Sequence, residues 1–199
     1  MIDFEQRAAD FFAMLAPLSD EDAFELRGEY TQIYYEPGTI VNVAGQNFIV
    51  LESFENGTTA ILQKDYIRGN RTFGASADWR ESSVREYLNT DYYRHIADEI
   101  GAENIVRFKR NLIALDGCQQ YGTCEDDISV LSLDEYRMYN HIIKQHRIDK
   151  WSWMLTPYGE AYSRSVCCVV AGGSVNWDGY GNGFVVRPFL IVNSAVLSV

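Results

Sequence analysis

The sequence predicts an α+β fold in which antiparallel strands pack with two main helices, preceded by a short helical appendage. Three observations carry this. Apolar residues recur at helical spacing in separate stretches, alternate with period two elsewhere, and are joined by Gly-containing turn signals between neighbouring strand-like runs. No internal repeat or low-complexity linker breaks the 199 residues, so the length suits one domain with a small addition.

The appendage is residues 1–29. In DFEQRAADFFAML, Phe4, Ala8, Phe11, Phe12 and Leu15 share one helical face, and Pro17 ends the run. Ser19 reads as the N-cap of a second, acidic helix, DEDAFELR, closed by Gly28. That apolar face needs cover from the main domain or from another copy of the chain. The expectation is a homo-oligomer, with a trimer favoured.

The main domain, residues 30–199, changes period at Thr31. TIVNVAGQNFIVLESFENGTTAILQKD reads as three strands with AGQN and ENGT as hairpin turns. DWRESSVREYLNTDYYRHIADEIG returns to helical spacing and stops at Gly101. NIVRFKRNLIAL reads as one strand, GCQQYGTCEDD as a polar loop and ISVLSL as a further strand. Ser132 and Glu135 fit a capping box for the helix LDEYRMYNHIIKQH. From Trp151 onward the chain reads as strands and turns.

Composition narrows the function classes. A formal net charge of −11 argues against nucleic acid and against an anionic membrane surface, both of which need a basic footprint. No apolar run approaches the roughly 20 residues of a membrane span, so no membrane insertion is expected. MIDFEQRAADFF lacks a basic n-region followed by an apolar stretch, which predicts no signal peptide. The expected locations are the bacterial cytoplasm or a larger particle released by lysis.

Catalytic and metal signatures are sparse. His141 and His146 lie about 140° apart around a helix, so they do not make an i, i+4 metal pair. The acidic runs SDEDAFE and CEDD lack the alternating ligands of a calcium loop. There is no nucleophile elbow, phosphate loop or dinucleotide fingerprint. No enzyme activity, cofactor or metal is therefore expected. Cys167 and Cys168 are strand neighbours and should point to opposite faces. Cys118 and Cys124 share one loop, either as an oxidisable pair or as two free thiols.

The segment between two strand-like runs near the C-terminus stands apart. Ser174, Asn176, Trp177, Asp178, Tyr180, Asn182 and Phe184 are interleaved with small residues. Tyr, Trp, Asn, Ser and Gly are the residues paratopes use, rigid aromatics giving area and small polar groups giving hydrogen bonds. The other reading is an ordinary Gly-rich hairpin around a buried Trp. As a binding face, Asn176, Trp177, Asp178, Tyr180 and Asn182 should lie exposed on one face, with Val185 and Phe189 packed inward.

Four motifs, in order, resemble a bacterial and phage family of unknown function. They are WRESSVREYLN from Trp79, VLSLDEYRMY from Val130, WSWMLTP from Trp151 and GFVVRPFLIVNS from Gly183. Together they cover residues 30–199. The resemblance implies a C-type-lectin-like fold. Phage members are similar to the variable target proteins of diversity-generating retroelements, which implies a hypervariable surface on SVCCVVAGGSVNWDGYGNGFVVRPF. It also implies a virion protein that contacts other virion proteins and binds a host-surface protein or glycan through Ser174 to Phe184. The alternatives are a structural decoration or assembly protein, or a relative of formylglycine-generating oxidases, which use paired cysteines.

The motif residues also have a physical reading as scaffold. Trp79 and Leu88 should both face the sheet, with Ser82 and Arg85 linking to the C-terminal strands. Trp151 and Trp153 should alternate onto one face. Arg187-Pro188 should mark a strand near an edge, because Pro cannot donate to a ladder.

Overall fold

The computed structural model describes residues 33–199. The helical pair expected over residues 1–29 lies outside them. The unit described below is Tyr34–Val199, a mixed α+β arrangement whose strands pair almost entirely antiparallel.

The three expected N-terminal strands form as β1 (Ile40–Val43), β2 (Gln46–Ser53) and β3 (Thr58–Gln63). Ala44 and Gly45 both take positive φ, 50° and 72°, the tight two-residue turn whose twist matches the flanking strands. Next comes β4 (Ile67–Thr72). Its polar sequence IRGNRT gave no strand signal. It exists because β12 (Gly183–Val186) pairs with it at a sheet edge.

The first helical stretch is not one continuous helix. A 3₁₀ turn, Trp79–Glu81, precedes α1 (Ser83–Tyr87), a π-helical segment Leu88–Tyr92 and α2 (Tyr93–Ile100). Ser82 interrupts it because its side chain caps α1, accepting from the Arg85 amide at 3.0 Å. Gly101 ends α2 with φ 84°, a conformation that favours glycine.

NIVRFKRNLIAL splits into β5 (Ile105–Val106) and β6 (Phe108–Asn111), which belong to different sheets. The end of the expected cysteine loop is itself a strand, β7 (Thr123–Asp126), paired with β6. It leads into β8 (Ile128–Ser129) and then α3 (Leu133–Ile143). The Ser132–Glu135 capping box is present in both directions. The remaining strands are β9 (Ser152–Pro157), β10 (Ser165–Val169), β11 (Val175–Gly179) and β13 (Phe189–Asn193).

One sheet runs β1-β2-β3-β13-β5, with β8 also on β13, and the other runs β11-β10-β9-β12-β4. Alternation divides the strands between two buried clusters. Phe48, Val50, Ile61, Leu190 and Val192 join Trp79, Leu88 and Ile96 in one. Ile49, Leu51, Leu62 and Phe189 join Leu133, Tyr136 and Ile143 of α3 in the other. Burial on both faces explains why β2 carries the unbroken run FIVL rather than a polar alternation. Each such side chain stabilises the fold by about 1.5–3 kcal/mol before entropy.

The second sheet obeys the same division. Trp153, Leu155, Val166 and Cys168 face the first cluster, Met154 and Cys167 the second. The two adjacent cysteines therefore point opposite ways, as expected. Among the described residues all four cysteines are free thiols.

Arg187-Pro188 lies near the sheet edges, as expected, because β12 and β13 are each one strand in from an edge. It is the point where the chain leaves β12 in one sheet and enters β13 in the other. Proline is tolerated there because the ladder is interrupted by the change of sheet. The neighbouring Arg187 is buried and donates to the backbone carbonyls of Gln63 at 2.7 Å, Lys64 at 2.8 Å and His146 at 3.1 Å. Burial pulls its pKa down to about 10, still far above neutral, so it is a buried cation held by carbonyl dipoles.

The beginning and end of the unit meet. The Asn42 amide donates to the Ser198 carbonyl at 2.7 Å, and the Tyr35 hydroxyl to the Leu197 carbonyl at 2.8 Å.

Candidate functional site

The C-terminal hairpin sits at an edge of the second sheet, where among the described residues β11 pairs with β10 alone. Its register sets which groups are available. The Tyr180 amide donates to the Arg164 carbonyl and the Val170 amide to the Ser174 carbonyl. By the alternation of an antiparallel ladder, the backbone of Asn176 and Asp178 then points toward β10, and that of Trp177 and Gly179 toward solvent. Asn176 Oδ1 accepts from the Trp177 amide at 2.9 Å, and Asp178 Oδ1 from the Gly179 amide at 2.7 Å. The open edge is thus closed by its own side chains, one of the ways proteins prevent edge-to-edge pairing.

The expected single face is in fact two. A strand alternates, so Trp177 stands opposite Cys167, while Asn176 and Asp178 stand opposite Cys168 and Val166 on the other side. Trp177 is 45% exposed, with its ring 4.5 Å from Tyr158. Tyr158 in turn packs edge-on against Tyr162 at 5.0 Å, and Tyr162 is 55% exposed. These three rings form a row at the rim of the sheet, on the side where Cys167 packs toward α3. The reading of a buried tryptophan in a Gly-rich hairpin is excluded by this exposure.

On the opposite side Asn182, exposed, donates Nδ2 to Asp178 at 2.7 Å. Phe184 is half-buried between Trp151 at 5.3 Å and Trp153 at 4.5 Å. Trp151, Phe184 and Asp178 line an open cleft of about 450 Å³ together with Asn70, Asp149 and Lys150. Gly183 also lines it, and an added Cβ there would meet the Asn70 Cβ at 3.3 Å. Ser174 is exposed in the β10–β11 turn, away from this cleft. Tyr180 packs against the main core, and the Arg164 guanidinium lies 5.7 Å from its ring. Val185 and Phe189 are buried, as expected.

Trp151 and Trp153 do share one side of their strand, and their rings continue inward. Trp153 meets Phe73 at 5.5 Å, and Phe73 meets Trp79 at 5.9 Å. Trp79 Nε1 donates to Asp126 Oδ2 at 2.7 Å, deep in the core. The aromatic column thus runs from the cleft to a buried carboxylate.

The helix motif docks on β7 and β8 rather than on the C-terminal strands. Arg85 Nε donates to Asp126 Oδ1 at 2.6 Å and Nη2 to the Glu125 carbonyl at 3.0 Å. Asn89 accepts from the amides of Asp127 and Ile128 and donates to the Ile128 carbonyl. Ser82 caps its own helix instead of reaching a strand. A carboxylate removed from solvent needs such partners, and Asp126 has two strong ones.

A family model described as Domain of unknown function (DUF6273) matches residues 56–194. The chain belongs to the DUF6273 family. The match runs from the β2–β3 turn to the end of β13, so the DUF6273 region contains the aromatic column, the Asp126 docking point and both faces of the β11 hairpin. No curated protein and no solved structure matches the chain.

Other chemistry is limited within the described part of this DUF6273 protein. No group of three or more His, Cys, Asp or Glu side chains is placed to hold a metal ion, and no helix is long and apolar enough to cross a membrane. Burial pushes the Cys167 thiol up to about 11 and the Cys168 thiol up to about 12. Sequence reasoning missed Asn70, Asp149, Tyr158 and Tyr162, and treated Trp151 as scaffold. Only Trp151 carried a signal, since a Trp at the solvent end of a buried strand has one face to offer.

Proposed function

We propose that this DUF6273 chain is a binding module of a phage or prophage, a ligand-binding or adhesion protein that recognises a host-surface protein or glycan through its C-terminal hairpin. The observation that carries the reading is the row in which exposed Tyr162 and Trp177 flank a half-buried Tyr158. Large aromatics left in solvent and held by one another, above a fully packed scaffold, are what a rigid contact surface needs. The edge beneath them is closed by Asn176 and Asp178. Recognition therefore proceeds through side chains rather than by strand addition.

The fold we infer is C-type-lectin-like. The joined ends of the unit and the display of the hairpin at a sheet edge, between β9 and β12 in the chain, support it. On such a scaffold the segment Ser174–Phe184 can vary while residues 185–192 keep the core, as expected of a retroelement target. The protein acts in the virion, or in the bacterial cytoplasm before lysis, as a homo-oligomer, a trimer being favoured. Repeated weak contacts then add up to useful avidity. The burial of Cys167 and Cys168 in separate clusters gives no support to the oxidase alternative.

The test is adsorption of the labelled full chain to a panel of gut bacteria, with Trp177→Ala and Tyr162→Ala as the variants. Saturable adsorption to some strains, weakened at least tenfold by Trp177→Ala with the fold intact by circular dichroism, is the expected result. Adsorption to no strain, or adsorption indifferent to both variants, overturns the reading.

A further inference from the structure

The face of β11 opposite the aromatic row carries a second kind of chemistry. Trp151 is 36% exposed, and its ring is backed by Phe184 and then Trp153. Trp153 is in turn fixed by its Nε1 hydrogen bond to the Arg71 carbonyl at 2.8 Å. The exposed indole is therefore a rigid flat platform at the cleft wall, and holding it costs a ligand no ordering entropy.

Polar groups surround that platform with capacity to spare. Asp178 uses Oδ1 for Gly179 and Asn182, and its Oδ2 has no partner among the described residues. Asn70, Asp149 and Lys150 are exposed at the cleft with no side-chain hydrogen bond or ion pair among those residues. A carboxylate accepts from hydroxyls, and an amide both donates and accepts. An aromatic face with such groups at its rim fits a ring that has one C–H face and a periphery of hydroxyls. Charge narrows the class further. Two carboxylates face one ammonium in the cleft, within a chain of net charge −11, so an anionic ligand is repelled.

We propose that the cleft between β4, the Asp149–Trp151 segment and β12 is a subsite for a neutral saccharide, with Trp151 as stacking platform and Asp178 and Asn70 as hydroxyl partners. This assignment rests on the binding-module reading and names the ligand class for one face of the hairpin. A side chain at Gly183 would crowd Asn70, since an added Cβ would lie 3.3 Å from the Asn70 Cβ.

The experiment titrates the full chain with glucose, galactose, mannose and N-acetylglucosamine and their linear tetramers, followed by calorimetry and by tryptophan fluorescence. At least one neutral sugar is expected to bind and to perturb the fluorescence. Trp151→Ala should weaken that binding at least tenfold and Asp178→Asn several-fold, while Met138→Ala, on an exposed position of α3, leaves it unchanged. Trp151→Phe keeps a flat ring and should restore most of the affinity, which separates stacking from a folding defect. The assignment is overturned if none of these sugars binds, if binding survives Trp151→Ala, or if glucuronate binds more tightly than glucose. Cell adsorption lost in Trp177→Ala with no sugar bound would overturn the saccharide assignment and leave the binding-module reading standing.

Discussion

Asn182 donates its side-chain amide to Asp178 at 2.7 Å, bracing the turn that joins β11 to β12. The bond is at the surface, where a hydrogen bond contributes about 0.5–1.5 kcal/mol net. Asn182→Ala should therefore lower Tm by only about 1–6 °C in calorimetry. The carboxylate keeps its second donor, the Gly179 amide. A loss beyond about 3 kcal/mol in urea titration would show that the turn holds more of the fold than this bond.

The closed edge of β11 gives a second prediction. Replacing Asn176 and Asp178 together by Val leaves the Trp177 and Gly179 amides open at the edge, on a strand whose β-propensity has been raised. The double variant should scatter more light than the parent chain at equal concentration and gain β signal on standing. Scattering equal to that of the parent would mean that the two side-chain caps do not guard the edge.

Acid stability should depend on one buried pair. Arg110 is almost wholly buried and donates to both Glu135 oxygens at 2.6 Å. Burial alone would raise the Glu135 pKa, but the Arg110 hydrogen bonds and charge, with the Ser132 amide, outweigh it and hold the carboxyl below its ordinary value of 4.5. A depressed folded pKa contributes stability that is complete above 4.5 and is lost as pH falls through the folded value. Glu135→Gln should flatten that acid limb in denaturation measured from pH 6 down to pH 2. At neutral pH it should cost about 3–5 kcal/mol, because Arg110 is left buried without a counter-charge.

Thiol chemistry should separate the cysteines into two classes. Cys118 and Cys124 are half-buried, and burial with the Asp126 charge pushes Cys124 up to about 11. In the native protein at neutral pH, iodoacetamide should label Cys118 first and Cys124 slowly, and Cys167 and Cys168 only after denaturant. Mass spectrometry of the peptides reads the order. Native labelling of Cys167 or Cys168 would contradict the two-cluster packing of β10.

Much of this was legible in the sequence. The β1–β2–β3 turns, the Ser132–Glu135 capping box, the Gly101 stop and the opposed cysteines all follow from local rules, and each is present. What was hidden depends on partners distant in the chain. IRGNRT is a strand only because β12 lies beside it, and the Thr123–Asp126 stretch is one only because β6 does. The same holds for the site. Asn70, Asp149 and Asp178 line one cleft though they are distant in the chain, and which hairpin residues share a face follows from a strand alternation that composition does not reveal.

The most direct test of the binding-module account is adsorption of the full chain to bacterial cells, measured with parent and Trp177→Ala protein side by side. The account predicts saturable adsorption to particular strains that drops at least tenfold in the variant, while its far-ultraviolet spectrum and Tm stay close to the parent's. Equal adsorption by the two proteins, or none to any strain, would contradict it.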